Sequence, residues 1–349
     1  MGKYGKKHVI SEDPLDYNIG IIGEGGIGKS TLLKETFEKL VGDSGYIMLD
    51  VGKEDGHKAI DGIVSEEVPD WNTFVSIVDD IVDNKNEEYP DLKIVGIDTY
   101  DQLIDIAIPE VIRMHNAQYK PPVDIVSIKQ AFSGWGGGED KVIQIVLEQL
   151  WRLKQAGVSF AIIGHTKLRD KDDAVTGESY STLTSDLSAK YFNAIKNKLD
   201  ILGVASVDRE IVKEKTGKKD FVTKKDIIKG RVTSESRILT FRDDNYTIDS
   251  KARFSEIVDC IPLNADAFIQ ALKDAIAKQK GKVSETEEKL INLVNGITTI
   301  AKELFADGFD KEDFYAIVTK ICNTRMFNKV KDVKQLEELL AEVQKLEVK

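Results

Sequence analysis

The sequence predicts an α/β fold with a mainly parallel sheet, followed by a C-terminal all-helical module. Over residues 17–164, short and almost continuously apolar runs alternate with segments whose apolar residues recur at helical spacing. Strands that are apolar along their whole length are typical of parallel sheets covered by helices on both faces. Beyond Asn264 proline is absent, and the apolar spacing is helical. These observations together predict the fold class.

The individual elements follow from the same patterns, taken in chain order. Strands are predicted at Tyr17–Ile22, Gly45–Val51, Lys93–Asp98 and Val158–Gly164. Helices are predicted at Ser30–Leu40, Trp71–Val82, the segment after Asp98 through Ile112, and Glu139–Gln155. After Leu199 the pattern changes to strands and hairpins that extend the sheet, at Asp200–Val207, Glu210–Val212, Ile227–Val232 and Arg237–Phe241. The C-terminal helices are predicted at Ala265–Lys278, Glu285–Leu304, Lys311–Thr319 and Val333–Leu346.

Length and composition indicate two domains. The chain has 349 residues, and a domain typically takes about 100–200. We expect a core at residues 1–277 and a helical module at 283–349, with the boundary in Lys278–Lys282. No apolar run reaches the roughly 18–20 residues that cross a bilayer. Cys260 and Cys322 fit no C-x-x-C pattern, which excludes a disulfide framework. A soluble, cytoplasmic protein is therefore expected.

A basic segment interrupts an acidic chain. The formal net charge is -11, which disfavours nonspecific binding of nucleic acid by the whole surface. The segment from Arg209 to Arg231, however, contains nine basic and four acidic residues, so its net charge is five positive charges. This segment is either a solvated hairpin arm with its turn at Thr216-Gly217 or an arm that contacts phosphates.

A glycine-rich motif between the first strand and the first helix predicts nucleotide binding. The sequence from Gly23 to Ser30 matches G-x-x-x-x-G-K-[ST]. Glycines let successive backbone N–H groups surround an anion, and the helix beginning near Lys29 adds its positive end. Lys29 is expected to bridge the β- and γ-phosphates of ATP or GTP. The predicted nucleotide-binding residues are Gly23, Glu24, Gly25, Gly26, Ile27, Gly28, Lys29, Ser30 and Thr31.

Carboxylates at strand ends complete the predicted site. Asp98 ends a buried strand, and with the Ser30 hydroxyl it is expected to hold Mg²⁺. An N-cap for the following helix is the alternative role for Asp98. Hydrolysis also needs a group that orients or deprotonates water. Asp50, Glu54 and Asp55 follow the second strand, and Glu54 is the preferred candidate, with a plain loop residue as the alternative.

His165 ends the fourth strand of the predicted parallel sheet. A polar side chain at the carboxyl end of a strand in an open sheet faces the ligand crevice. His165 is therefore expected to sense the γ-phosphate and to relay its presence into the following loop. An ordinary capping histidine is the alternative.

The order of these motifs resembles the RecA-like P-loop NTPase core. More narrowly, the chain is similar to phage-encoded RecA-like ATPases, whose recombination members are the Sak-type single-strand annealing proteins. His165 and the segment Lys251-Ala252-Arg253 carry this narrower resemblance, which covers residues 17–275. Two positions depart from RecA. Gly52 stands where RecA has its glutamate, and the sensor is a histidine instead of a glutamine.

The resemblance implies DNA-binding loops and an oligomer. The loops at residues 115–138 and 166–186 correspond to those that face single-stranded DNA in RecA-like proteins. Aromatic residues in such loops stack on bases, and basic residues hold the DNA backbone. The implied DNA-binding residues are Lys129, Trp135, Lys167 and Arg169. Trp135 packed on the core is the alternative for that residue. Lys251 and Arg253, on one face of an extended strand, are implied to reach the active site of a neighbouring subunit. A pair of solvated surface charges is the alternative.

The expected function is that of a phage recombination protein in the cytoplasm of a bacterial host. It would hydrolyse ATP with Mg²⁺, bind single-stranded DNA, and promote annealing or strand exchange as a homo-oligomer, beside a single-strand-binding protein. One alternative is a nucleotide-gated switch or assembly ATPase that acts on a protein partner. Another is a helicase or helicase loader, since hexameric helicases share this core.

Overall fold

The computed structural model describes residues 9–53, 56–119, 121–133, 135–173, 176–219, 226–242, 247–306 and 308–347. Side chains are described throughout these ranges except at 211–219, 226–233, 282–285, 287–288 and 347. The chain divides into two compact units, Met1–Ile276 and Ala277–Lys349.

The described residues form ten strands and eight α-helices. The strands are β1 Ile19–Gly23, β2 Tyr46–Val51, β3 Ser65–Val68, β4 Ile94–Asp98, β5 Ser159–Asp172, β6 Ser179–Ser185, β7 Ile201–Lys219, β8 Asp226–Thr240, β9 Lys251–Ala252 and β10 Cys260–Pro262. The helices are α1 Lys29–Val41, α2 Trp71–Asp83, α3 Tyr100–Ala117, α4 Gly137–Gln155, α5 Ala189–Lys196, α6 Ala265–Ala306, α7 Lys311–Cys322 and α8 Val333–Glu347. None of these helices combines the length and the apolar character required to cross a bilayer.

A mainly parallel sheet forms the first unit. Its order is β10-β8-β7-β1-β5-β4-β2-β3, and each neighbouring pair from β7 to β3 is parallel. β8 and β10 add antiparallel strands at one edge. The strand of the glycine-rich motif, β1, lies centrally between β7 and β5. The predicted α/β class with a mainly parallel sheet is confirmed.

Both faces of this sheet are covered by apolar side chains. Alternate residues of β1 point to opposite faces, so Ile21 and Ile22 belong to two different hydrophobic clusters. One cluster packs the sheet against α2, α3, α4 and α5. The other packs it against α1 and the first turns of α6. Burial on both faces explains why the central strands are apolar without alternation.

Two hairpins extend beyond the carboxyl edge of the parallel strands. Gly23, the last residue of β1, pairs with His165 of β5 and Ala205 of β7. Beyond these positions β5 continues into an antiparallel hairpin with β6, and β7 continues into one with β8. Residues 166–186, predicted as a loop, are therefore largely strand. The turn predicted at Thr216-Gly217 is wrong, since β7 runs on to Lys219, which pairs with Asp226.

The second unit is helical where it is described. Ile297, Phe314 and Leu336 belong to a hydrophobic cluster of its own, built from α6, α7 and α8. The segment Lys278–Lys282, predicted as a link between two helices, instead lies within the continuous helix α6. The glycine at 281 is tolerated there because an isolated helical glycine costs only about 1 kcal/mol relative to alanine.

Candidate nucleotide site

A cavity of about 290 Å³ lies at the carboxyl ends of the parallel strands. This edge is where open α/β sheets bind their ligands. The cavity brings together residues from the glycine-rich loop, the carboxyl ends of β2 and β4, His165 of β5, and the segment after β2. Its described lining is Gly25, Gly26, Gly28, Lys29, Ser30, Thr31, Asp50, Gly56, Ala59, Ile60, Asp98, Thr99 and His165.

The glycine-rich loop has the backbone conformation that its sequence requires. Gly26 and Gly28 have φ values of 73° and 110°, in the region where a side chain is strained and glycine is not. Gly28 is also the N-cap of α1, and the helix begins at Lys29. The backbone N–H groups and the positive end at the start of a helix favour the binding of an anion. Six of the nine predicted nucleotide-binding residues line the cavity. Of the other three, Gly23 ends β1, and Glu24 and Ile27 lie in the loop that follows.

The Lys29 ammonium group is buried against the loop. Its Nζ donates to the carbonyl oxygens of Gly23 at 3.0 Å and Glu24 at 2.8 Å. The residue is only 6% exposed. A phosphate in the cavity offers this cation a charged acceptor, and hydrogen bonds between ions are about twice as strong as neutral ones.

Asp98 and Ser30 form an oxygen-donor pair at the ends of β4 and the loop. The Ser30 hydroxyl donates to Asp98 Oδ2. The N-cap of α3 is Thr99, whose hydroxyl accepts from Gln102 N, so the capping alternative for Asp98 is wrong. A hydroxyl and a carboxylate fit Mg²⁺, which takes one or two protein oxygens and completes its shell with phosphates and water. Among the described residues no cluster of three or more His, Cys, Asp or Glu side chains forms an all-protein metal site.

His57 is part of this site although the sequence did not single it out. It lies in a 3-10 helix, Gly56–Ala59, and is 5% exposed. Its Nε2 is 3.0 Å from Asp98 Oδ2, and its Nδ1 is 3.8 Å from Asp50 Oδ2. Asp50 and Asp98 are paired residues on β2 and β4. The histidine therefore lies between two buried carboxylates.

Glu54, the residue preferred as the catalytic base, and Asp55 lie outside the described residues. The remaining candidate, Asp50, lines the cavity at the end of β2 and is 7% exposed.

His165 enters the cavity next to the phosphate loop and is held by Asp101. The backbone N of His165 donates to Asp101 Oδ2 at 2.7 Å, and its Nδ1 lies 3.0 Å from the same oxygen. Asp101 is in the first turn of α3, immediately after the Asp98 strand. Nearby, burial and the Asp101 carboxylate raise the pKa of Asp105. Asp101 was not predicted as a site residue, because its contact with His165 joins positions 64 residues apart.

Arg237 joins the β7–β8 hairpin to the phosphate loop. Its Nη1 donates to the carbonyl oxygen of Ile27 at 3.1 Å. Arg237 is on β8, six residues after Arg231, where the basic segment ends. The contact spans 210 residues and was not expected from the sequence.

Arg253 lies at the opposite edge of the sheet from its own phosphate loop, whereas Lys251 lines a cavity with Lys171 and Tyr180 of the β5–β6 hairpin. β9 pairs with the first residues of β7, and Arg253 lines a cavity with Asn18, which precedes β1. Lys251 Nζ donates to the Lys196 carbonyl at 2.7 Å, and Arg253 Nε is 3.3 Å from Asp200 Oδ1. Burial lowers the pKa of Lys251, and Arg253 lowers it further.

The predicted DNA-binding residues are in two separate segments. Lys129 lies in a short 3-10 helix, and the Trp135 side chain is fully exposed, so the alternative of Trp135 packed on the core is wrong. On β5, Lys167 pairs with Asp186 at 2.6 Å. Arg169 donates to the Leu187 carbonyl.

Comparison with known proteins agrees with this geometry. A family model described as an AAA domain matches residues 15–254. The chain belongs to this family. The match covers the phosphate loop, Asp98 and His165, and it ends just after Arg253. The chain is thus a P-loop NTPase with an AAA domain.

Other comparisons add little to the description of this AAA domain. No curated protein matches the chain. Among solved structures, a KaiC-like protein from the hyperthermophilic archaeon Pyrococcus horikoshii OT3 matches over 71% of this chain and 85% of its own. The identity is 12% and the TM-score is 0.36. At that level of similarity nothing about function follows.

Proposed function

We propose that the protein hydrolyses ATP with Mg²⁺ in this cavity and couples hydrolysis to binding single-stranded DNA, so that it promotes annealing or strand exchange. The single observation that carries the ATPase part is the convergence of Lys29, Ser30, Asp98 and His165 on one cavity. Lys29 would contact the phosphates, and Ser30 and Asp98 would hold Mg²⁺. The bound ion supplies charge neutralisation on the β- and γ-phosphates.

The DNA part is supported by the β7–β8 hairpin. Between Arg209 and Arg231 its described strands contain seven basic and three acidic residues, and the hairpin extends past the carboxyl edge where the cavity lies. Positive charge of this kind gives sequence-independent affinity for phosphates. Arg237 links the same hairpin to the phosphate loop, which provides a physical route from bound DNA to the nucleotide. Action as a phage-type recombination protein beside a single-strand-binding protein is part of this proposal.

A second candidate is a nucleotide-gated switch that acts on a protein partner. The β5–β6 hairpin favours it, because residues 166–186 hold three basic and five acidic residues. Lys167 and Arg169 are also already engaged by Asp186 and the Leu187 carbonyl. A surface with this charge balance is poorly suited to a DNA backbone.

One experiment separates these candidates. The rate of ATP hydrolysis is measured with and without single-stranded DNA over a series of salt concentrations. The proposal expects stimulation that declines as salt rises, because the contacts release counterions. Lys29→Met, which keeps the length of the side chain without its charge, is the control and should abolish hydrolysis with or without DNA. Hydrolysis that ignores DNA at every salt concentration favours the protein switch, and wild-type hydrolysis by Lys29→Met contradicts the site itself.

A further inference from the structure

We infer that His57 is a positioning residue that holds the Asp98 carboxylate in place for Mg²⁺ and anchors residues 56–60 beside the phosphate cavity. This inference rests on the proposed Mg²⁺·ATP site and adds a residue that neither the family match nor the sequence motifs assign. The observation that carries it concerns one oxygen atom of Asp98. Asp98 Oδ2 accepts a hydrogen bond from the Ser30 hydroxyl and lies 3.0 Å from His57 Nε2.

The burial of His57 makes this contact consequential. The side chain is 5% exposed and Asp98 is 6% exposed. Removing the hydrogen-bond donor of a buried carboxylate costs more free energy than removing that of an exposed carboxylate, because water does not replace the donor. Holding the carboxylate at Nε2 therefore limits the positions that it can take. Groups that orient metal ligands in this way commonly affect metal affinity or activity by about 10- to 100-fold.

The backbone around His57 shows where this restraint acts. Gly56, Ala59 and Ile60 line the cavity beside the phosphate loop, whereas the imidazole itself is buried behind them. Since the imidazole is bonded to Asp98, the segment and the carboxylate are held together. His57 therefore acts through Asp98 and through its own segment, and it does not contact the nucleotide.

The two ring nitrogens allow a matched pair of substitutions. His57→Gln places an amide N–H near the position of Nε2, which faces Asp98. His57→Asn places one near Nδ1, which is 3.8 Å from Asp50 Oδ2. If His57 works through Asp98, Gln should preserve its role and Asn should not. His115→Ala is the control, because His115 is a buried histidine (6% exposed) that accepts a hydrogen bond from Phe132 N.

The experiment measures binding of a fluorescent ATP analogue as Mg²⁺ is increased, together with thermal unfolding of each variant. His57→Asn is expected to raise the Mg²⁺ concentration at half-saturation about 10-fold or more. His57→Gln and His115→Ala should stay within about twofold of the wild type. Equal half-saturation in the wild type and in folded His57→Asn overturns the inference. An equal increase in the Mg²⁺ concentration at half-saturation in the Gln and Asn variants also overturns it. If His57→Asn does not fold, an increase of about 10-fold in His57→Gln overturns the inference as well.

Failure of the proposed function has a different outcome. If the wild-type protein binds no ATP analogue at any Mg²⁺ concentration, or if Lys29→Met binds it and responds to Mg²⁺ as the wild type does, the nucleotide site is wrong. In that case the inference about His57 fails with it. A wild-type response to Mg²⁺ that Lys29→Met weakens, but that no His57 variant changes, leaves the site intact and overturns only the positioning role.

Discussion

Asp101 accepts the backbone N–H of His165 at 2.7 Å with the same oxygen that lies 3.0 Å from the ring Nδ1 of His165. One carboxylate oxygen thus contacts both the backbone N–H and the imidazole of the predicted sensor. Asp101 is three residues after Asp98, at the start of α3. The carboxylate predicted to hold Mg²⁺ and the residue that contacts the predicted sensor therefore belong to one short segment.

The first prediction concerns this pair. Asp101→Asn keeps an acceptor for one N–H of His165 but loses the charge that holds the ring. We expect the turnover number for ATP to fall about 10-fold, while the KM for ATP changes by about twofold or less. Steady-state kinetics measures both. His165→Ala should give the same pattern. The double variant should be no less active than either single variant, because both substitutions remove the same contact between the His165 ring and the Asp101 carboxylate. Additive losses in the double variant would contradict a shared role.

The sequence predicted the parts of the site that depend on local chemistry. Gly26 and Gly28 stand where the backbone needs positive φ, and that requirement is visible in residue type alone. Asp98 was predicted because it ends an apolar strand. These signals are local, so they remain visible without the fold.

Contacts between distant segments were not visible. His57 and Asp98 are separated by 41 residues, and Arg237 and Ile27 by 210. Neither pair has a spacing that indicates contact. The β5–β6 hairpin was missed for another reason, since most residues of β5 beyond Thr166 are exposed, and a strand without a buried face lacks the apolar alternation that marks strands. The continuous helix α6 was divided in the prediction because Gly281 and its lysine neighbours are typical of links.

The second prediction concerns Arg237. Arg237→Ala removes its hydrogen bond to the Ile27 carbonyl, which is a direct side-chain contact between β8 of the basic hairpin and the phosphate loop. A hydrogen bond to a charged group contributes roughly 1.5 kcal/mol or more, so we expect DNA stimulation of hydrolysis to fall about 10-fold. DNA affinity without nucleotide, measured by fluorescence anisotropy, should change much less. Arg242→Ala is the control, because Arg242 also donates to a backbone carbonyl, that of Phe254 at 2.8 Å. Equal loss of stimulation in both variants contradicts the coupling.

The third prediction concerns the exposed tryptophan of the segment between α3 and α4. Trp135 is fully exposed and Trp151 of α4 is 62% exposed, but Trp151 lines a cavity with Asn18 and Asp200 at the amino ends of β1 and β7. Stacking of a base on an aromatic ring contributes roughly 1–3 kcal/mol. Trp135→Ala should therefore weaken single-stranded DNA binding by about 5-fold or more, as measured by anisotropy. Trp151→Ala should bind DNA as the wild type does. A larger loss of DNA affinity in Trp151→Ala than in Trp135→Ala would indicate that DNA binds at the amino edge of the sheet instead.

The last prediction is that Arg253 acts on the nucleotide of a neighbouring subunit. Its own phosphate loop is out of reach, because β1 has five residues, about 16 Å at the rise of a strand, and Arg253 lies near the amino end of that strand, beside Asn18. A cation delivered from another subunit contributes about 10³- to 10⁵-fold to the rate in other P-loop enzymes. Arg253→Ala should therefore nearly abolish hydrolysis. Arg113→Ala is the control, since Arg113 is also an exposed arginine paired with a carboxylate, that of Glu110, and it should retain activity.

Mixing two inactive proteins tests whether this action crosses between subunits. Lys29→Met lacks the phosphate-loop cation but keeps Arg253, and Arg253→Ala has the opposite defect. In mixed assemblies, one kind of interface combines the intact loop of the Arg253 variant with the intact arginine of the Lys29 variant. Hydrolysis should therefore reappear on mixing and pass through a maximum as the ratio of the two proteins is varied. If the mixture stays inactive although light scattering shows that the variants assemble, Arg253 does not act across the interface. Undiminished hydrolysis by Arg253→Ala alone would exclude any catalytic part for this residue, because the intact rate then needs no cation from it.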